Sequence, residues 1–342
     1  MIEIRNYRGF FTFLIGLLFL CIIFNLSLGS VDIPLWEAIK ITLGYPTTMP
    51  TFEYILLDYR IPKAITAILT GGSLGVCGLM MQTYFRNPLA GPYVLGISSG
   101  ASLGVALLIM GSSVFGSWFA FGELGFRWAI MIAASMGSLA VFSVILLASI
   151  RLNNSTSLLI LGLMFGSFTG AIVNILMFFG SKEALQKYIF WSFGSLGNIN
   201  TSELKILSSV IVIGLVMAVF AIKNLNSLLL GEKYAQSLGV SLKRSRYLIV
   251  FSSSLLAGAT TAFVGPIGFI GLAAPHLIRL LIPSTRDHKI ILPAVFLGGA
   301  LLLLVCDSIA QIPGSASILP INGITSLIGA PLIILLILRQ RK

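Results

Sequence analysis

The sequence predicts an all-α integral membrane protein with about ten transmembrane helices in one subunit, and three observations carry that prediction. Charged residues make up 10% and hydrophobic residues 57% of the 342 positions, whereas soluble domains carry about 25% charged residues. The apolar residues fall in continuous runs, and a spanning helix needs roughly 20 of them. Continuity rather than alternation argues against membrane strands. The charges sit in short segments between the runs, so the net charge of +11 reads as a topology signal rather than a nucleic-acid surface.

The first run, from Phe10 to about Leu28, follows Arg5 and Arg8. It is long for a signal peptide and has no small-residue cleavage site behind it, and Leu18-Phe19-Leu20 before Cys21 does not suit a lipoprotein signal. The reading is a retained first helix. Further spans are expected near 62–83, 93–110, 128–150, 156–179, 203–222, 247–264, 268–282, 289–309 and 321–338. The eighth is short and holds Pro275, so a kinked or incomplete span is expected there. Lys182–Leu196 is amphipathic and predicts a short helix at the outer surface, with Trp191 at headgroup level.

Ten spans place both termini on one side. Fifteen of the 22 Lys and Arg then share that side with only three of the 11 Asp and Glu. By the positive-inside rule it is the cytoplasmic side, and a miscounted span would scramble the asymmetry.

Small residues recur at helix-packing spacing in Gly71–Gly75, Gly96–Gly100–Gly104 and Gly162–Gly166–Gly170. Such faces let helix backbones approach closely in lipid. Plain bundle packing and a helix that slides as a gate both fit. Spans two to five begin outside and spans seven to ten begin inside, so the two sets are candidates for an inverted-topology repeat. The segments Pro88–Pro92 and Leu272–Pro275 are the sequence support for it.

Leu230–Arg246 (LGEKYAQSLGVSLKRSR) lies between two apolar runs and ends in Lys243, Arg244 and Arg246. It reads as two small helical pieces split by Gly239. A solvated basic loop is one reading and a docking element is the other. The whole chain is expected to be a single transmembrane domain over 1–342, with a cytoplasmic loop at 223–246 inside it.

No span holds an ionisable residue near its middle, and Arg279 and Asp307 lie toward span ends. A charge at the bilayer centre costs about 3 kcal/mol on insertion scales and is kept for ion coupling. A secondary transporter is therefore disfavoured. The chain has no GxxxxGK[ST] phosphate loop, no catalytic constellation and no metal or cofactor motif. Cys21, Cys77 and Cys306 read as buried hydrophobes. His276, beside Pro275, has no second donor nearby in sequence and reads as a packing or hydrogen-bonding residue. Uphill transport by this chain would need an energy-supplying partner at the cytoplasmic face.

Three stretches resemble the FecCD-type permeases of iron-siderophore, haem and cobalamin ABC importers, from about residue 55 to the end. The first is Arg60-Ile-Pro-Lys63, Gly71-Gly72-Ser-Leu-Gly75, then Gln82 and Arg86-Asn87-Pro88-Leu89-Ala90-Gly91-Pro92. The second is Leu230-Gly231-Glu232, Ala235 and Leu238-Gly239, then Gly265-Pro266, Gly268 to Leu272, Pro275-His276 and Arg279. The third is Leu319-Pro320-Ile321, Thr325 and Gly329-Ala-Pro331.

The resemblance implies a homodimer with a path at its interface, two ABC ATPase subunits below and a periplasmic or lipid-anchored binding protein above. It implies ATPase coupling through Gly231, Glu232, Ala235, Leu238 and Gly239. It implies a path lined by the fifth span, at Gly162, Gly166, Ser167, Thr169, Gly170 and Asn174. Asn87, Pro88, Gly268, Gly271, Pro275 and His276 belong to the structural motif. Arg60, Lys63 and Gln311 would dock acidic groups of the binding protein, with the side chains of Arg60 and Lys63 held at the outer membrane surface by Pro62. Here the family's Arg is Lys at 63 and Gln at 311, and Ile318 replaces its Glu, so weaker charge-assisted docking is expected. An iron(III) chelate is the leading substrate, with haem or cobalamin as the alternative. The implied location is the bacterial plasma (inner) membrane, with both termini cytoplasmic.

Overall fold

The computed structural model describes residues 4–47, 49–115, 123–151, 155–311 and 318–339. Among these, regular structure is entirely helical. In chain order the helices are α1 (Ile4–Ser27), α2 (Leu35–Thr42), α3 (Pro50–Ile55), α4 (Ile61–Phe85), α5 (Ile97–Phe115), α6 (Glu123–Arg151) and α7 (Ser155–Phe179). They continue with α8 (Lys182–Ser192), α9 (Thr201–Leu229), α10 (Glu232–Ser237), α11 (Leu242–Val264), α12 (Ile270–Leu281), α13 (His288–Gln311) and α14 (Ile321–Arg339).

Each of the ten predicted spans coincides with one of these helices. Seven are long and apolar enough to cross a membrane: α1, α3 run together with α4, α6, α7, α9, α11 and α13. The apolar helical stretches Ile97–Gly111, Ile270–Leu281 and Ile321–Leu335 are shorter. The 12 residues of α12 rise only about 18 Å at 1.5 Å per residue, as expected of an incomplete span.

Two features were not foreseen. Between the first two spans the chain forms α2 and α3, and a π turn over Leu56–Arg60 joins α3 to α4 without a break. Pro62 supplies no N–H for a bond to Asp58, and a widened turn takes up that irregularity inside the helix. The third span starts at Ile97 rather than 93, because Pro92–Leu95 is a 3-10 turn ending at Gly96.

The chain divides into two compact units. One comprises Met1–Val76, Ser195–Ser209 and Gly268–Lys342, and the other Cys77–Gly194 and Val210–Ile267. In the first unit α13 is the central helix, packed by α1, α12 and α14. A side chain at Gly71 would strike the carbonyl of Gly299, and one at Gly72 the ring of Phe296, so bare backbone sets how close α4 and α13 come. The start of α9 carries a reciprocal cap. Glu203 N–H donates to Asn200 Oδ1 at 2.8 Å, and Asn200 N–H to Glu203 Oε2 at 2.9 Å.

In the second unit α5 is central, packed by α6, α7, α8 and α11. Its buried Ala101, Val105, Ala106, Ile109 and Met110 meet Ala134, Val173 and Tyr188. At the α5–α6 seam a Cβ on Gly100 would lie 2.5 Å from the carbonyl of Gly137, and one on Gly104 would strike that of Ala133. The small-residue ladder read from the sequence is thus a close helix–helix contact. The amphipathic stretch forms α8, whose N-cap Ser181 Oγ accepts Ala184 N–H at 3.2 Å.

Candidate functional site

In the second unit, the polar segment after α9 folds into α10 followed by the first turns of α11. The second expected helical piece is therefore not separate, but the beginning of a helix that continues to Val264. Gly231 precedes α10 at φ 110°, and its carbonyl accepts Ala235 N–H at 2.8 Å. The helix closes with Gly239 N–H donating to Gln236 O (2.9 Å) and Val240 N–H to Ala235 O (3.0 Å). That paired closure requires a left-handed residue, and Gly239 has φ 81°. Ser241 then caps α11 by accepting Arg244 N–H at 3.4 Å.

The result is a short helix anchored by one buried side chain, with most of its other residues exposed. Ala235 is fully buried, while Leu230, Tyr234 and Leu238 are more than half exposed. Three large apolar side chains standing out of a basic loop form a small surface suited to docking.

The end of α4 lies beside this element. Arg86 N–H donates to Thr83 O and Asn87 N–H to Gln82 O, the same closure as in α10. Here the left-handed position is held by Arg86 at φ 49° rather than by glycine. Asn87 Oδ1 accepts Leu89 N–H at 2.9 Å, turning the chain into Pro88. The Arg86 guanidinium reaches within 3.8 Å of the space a Cβ on Gly231 would fill. Arg86 was quoted in the sequence motif without a site role. Its nearness to α10 depends on two helix ends meeting in space, which spacing along the chain does not reveal.

Helix α7 presents an exposed stripe. Ile160, Leu163, Met164, Ser167, Phe168, Asn174, Ile175 and Phe178 are all exposed and recur at helical spacing along one face. Of the residues assigned to a path, Ser167 and Asn174 stand on this face. Thr169 is buried and its hydroxyl donates to Phe165 O at 2.8 Å. Gly162 and Gly166 face Gly96, where a Cβ would lie 3.0 Å from the Gly162 carbonyl. Gly170 is partly buried with open space around it. In this structure Gly162, Gly166 and Thr169 lie off the exposed face, with Gly162 and Gly166 on the side of α7 that meets the 3-10 turn.

In the first unit the expected docking residues turn inward. Arg60 is 8% exposed. Its Nη1 donates to Leu26 O at 2.7 Å and its Nη2 to Val31 O. Lys63 Nζ pairs with Asp307 Oδ1 at 2.9 Å. Gln311 Nε2 donates to Asp307 Oδ2 at 2.7 Å, and Asn25 Nδ2 donates to the same oxygen at 3.0 Å. The sequence reading left Arg60 and Lys63 open to an acidic partner and let Asp307 reach water, whereas here Arg60 and Asp307 are buried and Lys63 is held by Asp307. Asp307 is 2% exposed, and a buried carboxylate draws in every nearby donor because leaving it unpaired is costly. The sequence signal for this was a lone Asp at the end of an uncharged run, four residues before Gln311.

The remaining motif residues of this unit are structural in their contacts. Gly268 N–H donates to Asn322 Oδ1 at 3.0 Å. His276 Nδ1 donates to Leu272 O at 2.9 Å, the hydrogen-bonding role expected of it. Gly271 and Pro275 are buried within α12.

Repeated span-length helices, and a short polar helix flanked by exposed apolar side chains in a basic loop, describe a multi-pass helical membrane protein among the described residues. The chain belongs to the FecCD transport family, whose pattern matches residues 17–339, and it is a permease of the ATP-binding cassette (ABC) class. It is 37% identical over 318 residues to the hemin transport system permease HmuU of Yersinia pestis, covering 93% of each chain. It is 33% identical over 290 residues to the vitamin B12 import system permease BtuC of Klebsiella pneumoniae, covering 84% of each. Among solved structures it resembles an inward-facing ABC transporter provisionally assigned to the metal-chelate type. The TM-score is 0.84 at 27% identity, over 97% of this chain and 100% of the other.

Proposed function

We propose that this chain is the membrane-spanning subunit of an importer for an iron(III) chelate, working as a homodimer in a bacterial plasma membrane. Permeases of this family pair with ATPase subunits and substrate-binding proteins. On this reading two ATPase subunits engage α10 from the cytoplasm, and the binding protein delivers the chelate from outside. The observation that carries the reading is α10 itself. A helix anchored by buried Ala235, with Leu230, Tyr234 and Leu238 exposed on it or beside it, can receive a partner's push and pass it directly into α11. The sequence holds no phosphate loop, so the ATP-binding subunit is a separate chain.

The exposed stripe of α7 is assigned to the path between protomers. It carries Ser167 and Asn174 among apolar side chains and has no charged residue. A weakly interacting lining suits a large chelate that must both enter and leave. Both termini are assigned to the cytoplasmic side by the distribution of Lys and Arg. Haem is the second reading, favoured by the 37% identity to a hemin permease over 93% of both chains.

The test is uptake into vesicles carrying the chain with its ATPase and binding protein. Iron-55 siderophore, iron-55 haem and labelled cobalamin would be offered separately, with and without ATP. ATP-dependent entry of the siderophore is expected. Uptake of haem alone selects the second reading. Uptake driven by an ion gradient without ATP would overturn the function.

A further inference from the structure

We propose that the groove between α1 and α13 at Tyr7 and Arg8 is a binding site for one anionic phospholipid of the surrounding bilayer. The groove holds about 470 Å³ and is lined by Tyr7, Arg8, Phe11, Thr12, Ile15 and Ile290. That volume lies in the range of small-molecule sites, about 300–1,000 Å³. All its residues belong to one unit of the fold.

The lining is amphiphilic along its length. At the mouth stand the Arg8 guanidinium, which is exposed, and the Tyr7 hydroxyl, which lies 3.2 Å from Ser284 Oγ. The Thr12 hydroxyl donates to Arg8 O at 2.9 Å and so is satisfied within its own helix. Arg8 is therefore the principal recognition group on α1. Exposed Arg286 and Lys289 flank the opposite wall in the chain. Asp287, between them, accepts the Lys289 N–H at 2.9 Å through Oδ1 and caps the start of α13.

Away from the mouth the groove is apolar. Phe11 and Ile15 lie on one face of α1 and continue to Phe19, with Ile15 55% and Phe19 62% exposed. From Arg8 to Ile15 the helix rises about 10 Å. A cationic mouth over an apolar track matches a phosphate headgroup joined to an acyl chain. A soluble anion would use only the first part and a neutral lipid only the second. Basic pockets between membrane helices are suited to anionic headgroups, each basic side chain near the surface changing affinity about fivefold.

The proposal is independent of the transported substrate. Its test is native mass spectrometry of the full-length permease in a neutral detergent, with phosphatidylglycerol or phosphatidylcholine of the same acyl chains added. The expected result is preferential retention of phosphatidylglycerol. Arg8→Gln should weaken that retention about fivefold and leave phosphatidylcholine unchanged. Because Arg8 is exposed, this change leaves the fold intact, and a single monodisperse peak in gel filtration checks that. Ile290→Trp, which fills the groove, should lower both lipids. Equal retention of the two lipids by the unaltered protein, or no loss in Arg8→Gln, overturns the proposal. Displacement of phosphatidylglycerol by equimolar glycerol 3-phosphate would assign the site to a free phosphate and overturn it equally.

Discussion

Lys63 and Asp307 show how one residue's role turns on what faces it. From the sequence Lys63 is a cation just ahead of a span, suited to an acidic partner. In the fold its ammonium lies 2.9 Å from Asp307, which also receives Gln311 and Asn25. Removing one member of a buried pair strands the other. Lys63→Met should therefore destabilise the protein by about 3–5 kcal/mol, whereas Lys63→Met with Asp307→Met should recover most of that loss. Thermal or denaturant unfolding of the purified permease checks both. An exposed docking lysine would instead give a change near zero for the single variant.

The element assigned to ATPase coupling is α10 with its two glycine-dependent ends. Gly239 sits at φ 81° and donates its N–H to Gln236 O. Proline fixes φ near −65° and has no N–H, so Gly239→Pro must break the closure. Gly239→Pro and Glu232→Ala are expected to abolish ATP-driven uptake while membrane insertion and dimerisation persist. Uptake assays beside gel filtration measure the two separately, and normal uptake in both variants would remove the coupling assignment. The α5–α6 seam makes a different demand. A Cβ on Gly137 would collide with the carbonyl of Gly100. Gly137→Val should cost about 1–3 kcal/mol through overpacking, read as a lowered melting temperature. Unchanged melting would mean that the helices can separate freely, as a sliding gate would.

At the scale of the whole molecule, the reading of ten spans with a homodimeric path makes two accessibility predictions. A Cys at Ser237, on exposed α10, should react with a membrane-impermeant reagent from the cytoplasmic side only. Reaction from outside would invert the topology and detach α10 from any ATPase. A Cys at Asn174, on the exposed stripe of α7, should form a disulfide between two protomers under mild oxidation. Its failure at every position of that stripe, with dimers present, would move the interface to another helix.

The sequence by itself determined the class, the ten helical segments and the family. Span-length apolar runs have few solutions in lipid, because every backbone N–H and C=O must be satisfied inside the segment. It also located α10, since Gly231 and Gly239 bracket a short polar stretch and only a few chain geometries use glycine at those points. It did not determine where side chains face. Arg60 and Lys63 were read as surface cations, yet one bonds the carbonyls of Leu26 and Val31 and the other a carboxylate 244 positions later. The division of α7 into a packing face at Gly162, Gly166 and Thr169 and an open face at Ser167 and Asn174 was equally hidden. A helix that is apolar all round gives no amphipathic signal to say which side is covered. Only the tertiary structure, by bringing Gly96 against one side of α7 and Asp307 beside Lys63, decided which residues hold the fold and which remain open to a partner.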